Sequence, residues 1–150
     1  MKFKKEYLFL FLIITTTIIA YSNIFTNEFV WDDKTFIIDW KTKNSFKNIP
    51  QLLSGDEPDG HEGVYGPVRG IIYTLSYKLF GENPLGYHIQ SLIVHIIATL
   101  LIYFIIKEIT NIRVGFLTAL FFGIHPIHTE SISFITASFD VIGILFFLFS

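Results

Sequence analysis

Two clusters of polar side chains in an otherwise apolar chain have the types and spacing to do chemistry. The first is Trp31-Asp32-Asp33. Adjacent carboxylates just after an apolar run suit a general base or a cation site. In an extended loop neighbouring side chains point opposite ways, so one would act and the other would orient or bind. The competing reading is an ordinary helix cap, with Asp32-Asp33 starting a helix at Lys34. The second cluster is His125, His128 and Glu130. Imidazoles three residues apart plus a carboxylate can bind a divalent metal. They can equally hydrogen-bond a phosphate or sugar hydroxyls. Here the competing reading is a turn stabilised by Pro126 and capped by Thr129.

Other residues offer single groups. Arg69 can hold a phosphate through two parallel hydrogen bonds, or can snorkel at an interface. His88 and His95 stand two helical turns apart and share a face. His95 reads as a satisfied core histidine, whereas His88 lies near the outer boundary as a candidate for substrate binding. Asp140 opens an apolar run and faces either a cavity or an interface.

The elements that position these groups are membrane-like. Hydrophobic residues make up 51% of the 150 residues and charged ones 16%, well below the charged share of about 25% in soluble domains. The chain therefore reads as an all-α, polytopic membrane protein with three to four transmembrane segments. A first helix spans about 7–25, near the lower length limit for crossing a bilayer. Lys2, Lys4 and Lys5 beside it place the N-terminus in the cytoplasm. A cleaved signal peptide is the rival, because Ala20-Tyr21-Ser22 has A-x-A-like spacing.

An outer loop follows over about 26–86. Thr35–Trp40 and Phe46–Leu53 are expected as short interfacial helices, and 55–66 as an exposed turn region. Val68, Ile71, Ile72, Leu75 and Leu79 fall on one face of a helix lying along the membrane surface. Gly81 breaks that helix, and Asn83-Pro84 starts the next as cap and first helical residue. The second spanning helix covers about 84–108, with Lys107 and Arg113 at its cytoplasmic end.

The third segment, about 114–138, is broken. Val114 to Ile124 rises only about 16 Å as a helix, against a hydrocarbon core of about 30 Å. His125 to Glu130 is thus expected at membrane depth, or at a deeply indented outer surface. Polar groups there are costly, which favours a functional role. The start of a last helix, 139–150, ends inside an apolar run, so the natural protein is expected to continue.

Several classes are excluded. With no cysteine there is no disulfide scaffold or thiolate metal site. A net charge of −2 offers no basic patch for nucleic acid. No phosphate-binding glycine loop, dinucleotide fingerprint or Ser-His-Asp motif appears.

Three stretches carry a family resemblance: Asn27-Glu28-Phe29-Val30-Trp31-Asp32-Asp33, Phe80-Gly81-Glu82-Asn83-Pro84-Leu85-Gly86-Tyr87-His88, and His125-Pro126-Ile127-His128-Thr129-Glu130-Ser131. In these motifs, their order and their spacing, the chain resembles the N-terminal part of GT-C superfamily membrane glycosyltransferases. The likeness is greatest to the transmembrane, tetratricopeptide-repeat O-mannosyltransferase-like proteins and their bacterial relatives. The resemblance implies a polyprenyl-phosphate-linked sugar as donor. It implies an acceptor hydroxyl on protein, lipid or glycan, met on the outer face of the bilayer. By the same likeness Asp32 is the catalytic base and Asp33 its assistant. Arg69, His88, His125, His128 and Glu130 are implied in donor or acceptor binding.

The chain departs from the family pattern at two points. Tyr65-Gly66-Pro67 stands where Tyr-Arg-Pro is usual, with Arg69 matching a second arginine of some relatives. Ser138-Phe139-Asp140 stands where Arg or Ser commonly precedes the aspartate. Members of this family also have many more helices, so 150 residues alone are expected to be inactive. Metal use is open, with a divalent ion as one possibility. The Lys- and Ile-rich composition favours a bacterial inner membrane over an endoplasmic reticulum. A transporter-like half and a non-catalytic membrane scaffold are the rival readings.

Overall fold

The computed structural model describes residues 2–54, 67–138 and 141–142. Among the described residues all regular structure is helical. Six α-helices follow one another: α1 (Lys2–Ala20), α2 (Ile49–Ser54), α3 (Pro67–Phe80), α4 (Pro84–Ile109), α5 (Ile112–Ile124) and α6 (Thr129–Ser133). The chain divides into two units, one built from Met1–Asn27 with His88–Ser150, the other from Glu28–Tyr87.

In the first unit, threonines inside the apolar helices satisfy their own hydroxyls. Thr17 donates its hydroxyl to the Ile13 carbonyl at 2.8 Å, and Thr99 to the His95 carbonyl at 2.8 Å. Such back-bonding lets threonine sit in an apolar helix without an orphaned group. The first apolar run is a composite: α1 stops at Ala20 and a tight turn, Ser22–Thr26, continues it. The part of α1 after Glu6 is about 21 Å long, and the turn adds up to about 10 Å.

Only two residues link α4 to α5, which makes the pair antiparallel neighbours. Asn111 opens α5 by accepting from the Arg113 and Val114 amides at 3.0 and 3.2 Å. One face of α5 is lined by Gly115, Ala119 and Gly123, all buried. Small residues at every fourth position let helices approach closely. A β-carbon on Gly115 would stand 3.0 Å from the Tyr103 carbonyl oxygen, and one on Gly123 2.6 Å from Thr17 Oγ1 and 3.0 Å from Thr99 Cγ2. Gly123 is therefore the point where α1, α4 and α5 converge. Phe9 of α1 stacks on Phe116 of α5 with centroids 4.2 Å apart. Ile13, Tyr103 and Ala119 form the core between the three helices.

The far end of this bundle is closed by Lys107 and Glu6, 2.6 Å apart and each about a quarter exposed. Partly exposed pairs contribute little, because water screens them. Glu6→Gln should lower the melting temperature of the purified protein by only a few degrees. A collapse of the fold in a thermal scan would show instead that the ion pair, not the glycine face, holds the bundle.

The second unit is built around aromatic rings. A wide helical turn, Lys34–Asp39, is followed by tight turns at Lys41–Asn44 and Phe46–Asn48, then α2 and α3. Tyr73 is stacked on Phe36 at 5.8 Å and meets Trp40 edge-on at 5.9 Å. Lys43 is fully buried beside them. Its Nζ donates to the Trp40 carbonyl at 2.7 Å and lies 4.3 Å from the centre of the Tyr77 ring. Carbonyl and ring together replace part of the water this cation has lost.

The expected elements mostly appear, with shifted ends. The interfacial helices of the loop are short turns plus α2. Gly81 breaks the chain with φ 59, and Asn83 Oδ1 accepts from the Leu85 amide at 3.1 Å to start α4. Along α3, Val68, Leu75 and Leu79 are exposed, while Gly70, Tyr73, Thr74 and Ser76 are buried. The helix thus turns its polar and aromatic face inward and its aliphatic stripe outward, as a helix on a lipid surface would.

Length and composition do not by themselves establish three to four spans among the described residues. Among the described residues, α4 alone has the length and low charge to cross a membrane. Lys2, Lys4, Lys5 and Glu6 occupy the first turns of α1, and α5 is only 13 residues long, about 20 Å. The exposed turn region 55–66, the start of the last helix and Asp140 lie outside the described residues.

Candidate functional site

In the second unit the Asp-Asp pair sits on a closed turn. The Asp33 amide donates to the Val30 carbonyl at 2.9 Å, and the Lys34 amide to the Trp31 carbonyl at 3.2 Å. The Val30 amide donates in return to Asp33 Oδ2 at 3.3 Å. Asp33 is fully buried, and its side chain makes no cap to the helical turn that follows. Asp32 and Asp33 do start the helical turn at Lys34, as the competing reading expects; the Asp33 carboxylate reaches backward to the Val30 amide rather than forward into that turn. The backbone is not extended, as the alternating-side-chain argument assumed. Asp32 is exposed at the tip and Asp33 is inside.

At that tip Trp31 adopts φ 48, the sole positive value for a non-glycine among the described residues. An open groove of about 520 Å³ lies next to the turn in sequence, lined by Glu28, Phe29, Lys34, Ile38 and Asp39. Arg69 is half-buried in the first turn of α3.

The first unit holds the histidines. His125 ends α5, and its Nδ1 accepts from the Ile127 amide at 3.2 Å. So the cap of the Pro126–His128 turn is His125 itself, not Thr129. An accepting Nδ1 leaves the ring proton on Nε2. His125 is exposed, which leaves that N–H available to a ligand. His128 packs against Phe122 at 4.3 Å between centroids and against His95 at 5.1 Å.

His95 is buried on α4 with Nε2 3.1 Å from the Gly123 carbonyl. A carbonyl can only accept, so Nε2 carries the proton. The bond satisfies one of the carbonyls that the end of α5 leaves without a helical partner. His95 is thus the satisfied core histidine the sequence suggests. His88 is fully buried as well.

Glu130 is exposed in the first turn of α6. Among the described residues no three His, Asp, Glu or Cys side chains converge to hold a metal ion. His125, His128 and Glu130 do not form such a set.

Two features escape sequence reasoning. Tyr21 donates its hydroxyl to the His125 carbonyl at 2.7 Å, pinning the end of the first apolar run to the histidine turn. No local pattern announces a contact over 104 positions. The other is the glycine face of α5, whose four-residue spacing was readable from Gly115, Ala119 and Gly123.

Comparison with known proteins agrees with the motifs. The family model for dolichyl-phosphate-mannose-protein mannosyltransferase matches residues 61–150. A protein O-mannosyl-transferase of Caenorhabditis elegans is 30% identical over 150 residues, covering 93% of this chain and 22% of that protein. One from Drosophila melanogaster is 27% identical, over 87% of this chain and 16% of its own length. A human one is 35% identical over 86 residues, 56% of this chain and 10% of that protein. The chain spans about a fifth or less of the length of these relatives. All three come from animals, which lends no support to a bacterial inner membrane. No solved structure matches. With α4 able to cross a bilayer and the family model covering more than half of its length, this membrane-associated chain belongs to the dolichyl-phosphate-mannose-protein mannosyltransferase family.

Proposed function

We propose that this chain supplies the catalytic-base end of a membrane glycosyltransferase. The enzyme moves a mannosyl group from a polyprenyl phosphate to an acceptor hydroxyl on the outer face of the bilayer. The observation that carries the reading is the Val30–Asp33 turn, which exposes Asp32 and buries Asp33. As the acceptor oxygen bonds to C1 of the sugar, Asp32 takes the hydroxyl proton. The C1–O bond to phosphate breaks, and its electron pair leaves with the phosphate as a stable anion. One base suffices for such a leaving group, and a single displacement inverts the anomeric centre. Asp33 positions Asp32 by closing the turn. Arg69 stabilises the departing phosphate; in the other unit the N–H groups of His125 and His128 are candidate donors to a phosphate or sugar hydroxyl, and Glu130 orients a histidine or the acceptor. His88 is a further candidate contact.

The fold supports a polytopic arrangement. The positive residues of α1 lie on the cytoplasmic side, as does Lys107. The composite first run totals about 31 Å, close to the hydrocarbon thickness. The α5–α6 break opens the histidine turn to the outer face, where irregular backbone can be tolerated.

The direct test is transfer itself. Full-length protein in liposomes, given radiolabelled dolichyl-phosphate mannose and hydroxyl-bearing peptides, should label peptide. Failure with peptide, lipid and glycan acceptors alike would sink the reading. His125 can be tested separately from its cap. His125→Asn keeps a capping oxygen but removes the outward Nε2–H. Melting should hold within a few degrees while transfer falls about 10-fold or more. Unchanged transfer would remove His125 from the site.

A further inference from the structure

We infer that Trp31 is a substrate-contacting residue, its indole forming the platform on which the transferred sugar ring rests beside Asp32; this deepens the proposed function and depends on it. A tryptophan at φ 48 is costly, because its β-carbon crowds the backbone in the left-handed region. Backbone strain of this kind persists where surrounding bonds impose it, and it clusters at functional sites. Here the imposing bonds are visible. Two amide-to-carbonyl bonds, from Asp33 to Val30 and from Lys34 to Trp31, close the turn. Asp33 Oδ2 accepting from the Val30 amide locks it.

The strain does not serve packing within this unit. Trp31 is 86% exposed, while the unit's other large rings at Trp40 and Tyr73 are 4% and 0% exposed. What the turn achieves is a placement: an indole and a carboxylate on consecutive positions of one exposed tip.

That pair suits one chemistry. A pyranose offers an apolar face of C–H groups, and during transfer its ring gains positive charge at C1 and the ring oxygen. An indole face is apolar and carries negative quadrupole, so it attracts a cationic ring more than a neutral one. The contact strengthens as charge develops, which is the condition for accelerating the step rather than only binding. The base acts at the acceptor oxygen while the indole covers the sugar.

The test is oxidative footprinting of Trp31 with N-bromosuccinimide in full-length wild-type protein in liposomes, read by mass spectrometry of the peptide containing it. Dolichyl-phosphate mannose should protect Trp31 several-fold, and dolichyl phosphate without the sugar should not. Equal protection by both would assign the contact to the lipid phosphate and overturn the proposal. So would no protection by either, or a Trp31 that is unreactive from the start. In kinetics, Trp31→Phe should retain most of kcat and Trp31→Leu should lose roughly 10-fold, with the acceptor KM little changed. Equal kcat in the two variants would also overturn it. Asp32→Asn separates the two ideas: it should stop transfer yet leave the sugar-dependent protection of Trp31 intact. Transfer unaffected by Asp32→Asn would instead count against the base assignment alone.

Discussion

Asp32→Asn in the full-length protein is expected to lower mannosyl transfer by about 10²- to 10⁴-fold, the usual contribution of a positioned general base. The substitution keeps the shape of the side chain and removes only its capacity to take a proton. Asp32 is exposed, so the loss should come without a change in yield or melting temperature. Asp33→Asn is the matched control. Its amide oxygen can still accept from the Val30 amide, as Asp33 Oδ2 does at 3.3 Å, so the turn stays closed. Transfer should fall far less than in the Asp32 variant. Initial rates with labelled donor measure both. If the two variants lose activity equally, the roles assigned to the pair are wrong. A larger loss at Asp33 would move the base to the buried carboxylate.

Gly123→Ala is expected to destabilise the bundle by about 1–3 kcal/mol, the cost of overpacking a tight contact. The new methyl would meet Thr17 Oγ1 at 2.6 Å and Thr99 Cγ2 at 3.0 Å. Turning either threonine away would break its hydrogen bond to the Ile13 or the His95 carbonyl. The damage would reach the site, because the Gly123 carbonyl receives the His95 ring and the next turn carries His125. Thr17→Ala removes the nearer obstacle. The double variant should therefore regain part of the lost stability, a coupling that additive sites would not show. Thermal unfolding in detergent measures it. If Gly123→Ala melts within a degree of the parent, the three helices do not meet at this glycine.

Much of the fold was legible because local signals are strong in this chain. Asn83-Pro84 and Asn111 start helices through their side-chain caps, and Gly81 stops one with its positive φ. Of the aliphatic stripe of α3 that spacing suggests, Val68, Leu75 and Leu79 face outward, whereas Ile71 and Ile72 are half-buried. Helix lengths were less legible. The first apolar run looks continuous in sequence, yet it changes to a tight turn after Ala20, and its charged first turns leave α4 as the only unaided span among the described residues.

The site was legible in its residue types but not in its geometry. Asp32 and Asp33 carry identical side chains, and only the hydrogen bonds of the turn separate an exposed carboxylate from a buried one. His125 could not be recognised as its own cap, because histidine is an uncommon capping residue and Thr129 is a common one. The left-handed Trp31 is invisible to residue preference, which would put glycine or asparagine there. Tertiary contacts such as Tyr21 to His125 leave no trace in spacing.

In the proposed reaction one carboxylate activates the acceptor against a lipid-phosphate leaving group in a single displacement. The measurement that tests this most directly is the anomeric configuration of the transferred sugar, read from the one-bond C1–H1 coupling of a product made with ¹³C-labelled donor. The product should carry the configuration opposite to that of the donor. A retained configuration would require a second displacement through a covalent sugar intermediate, and would contradict a site in which Asp32 acts only as a base.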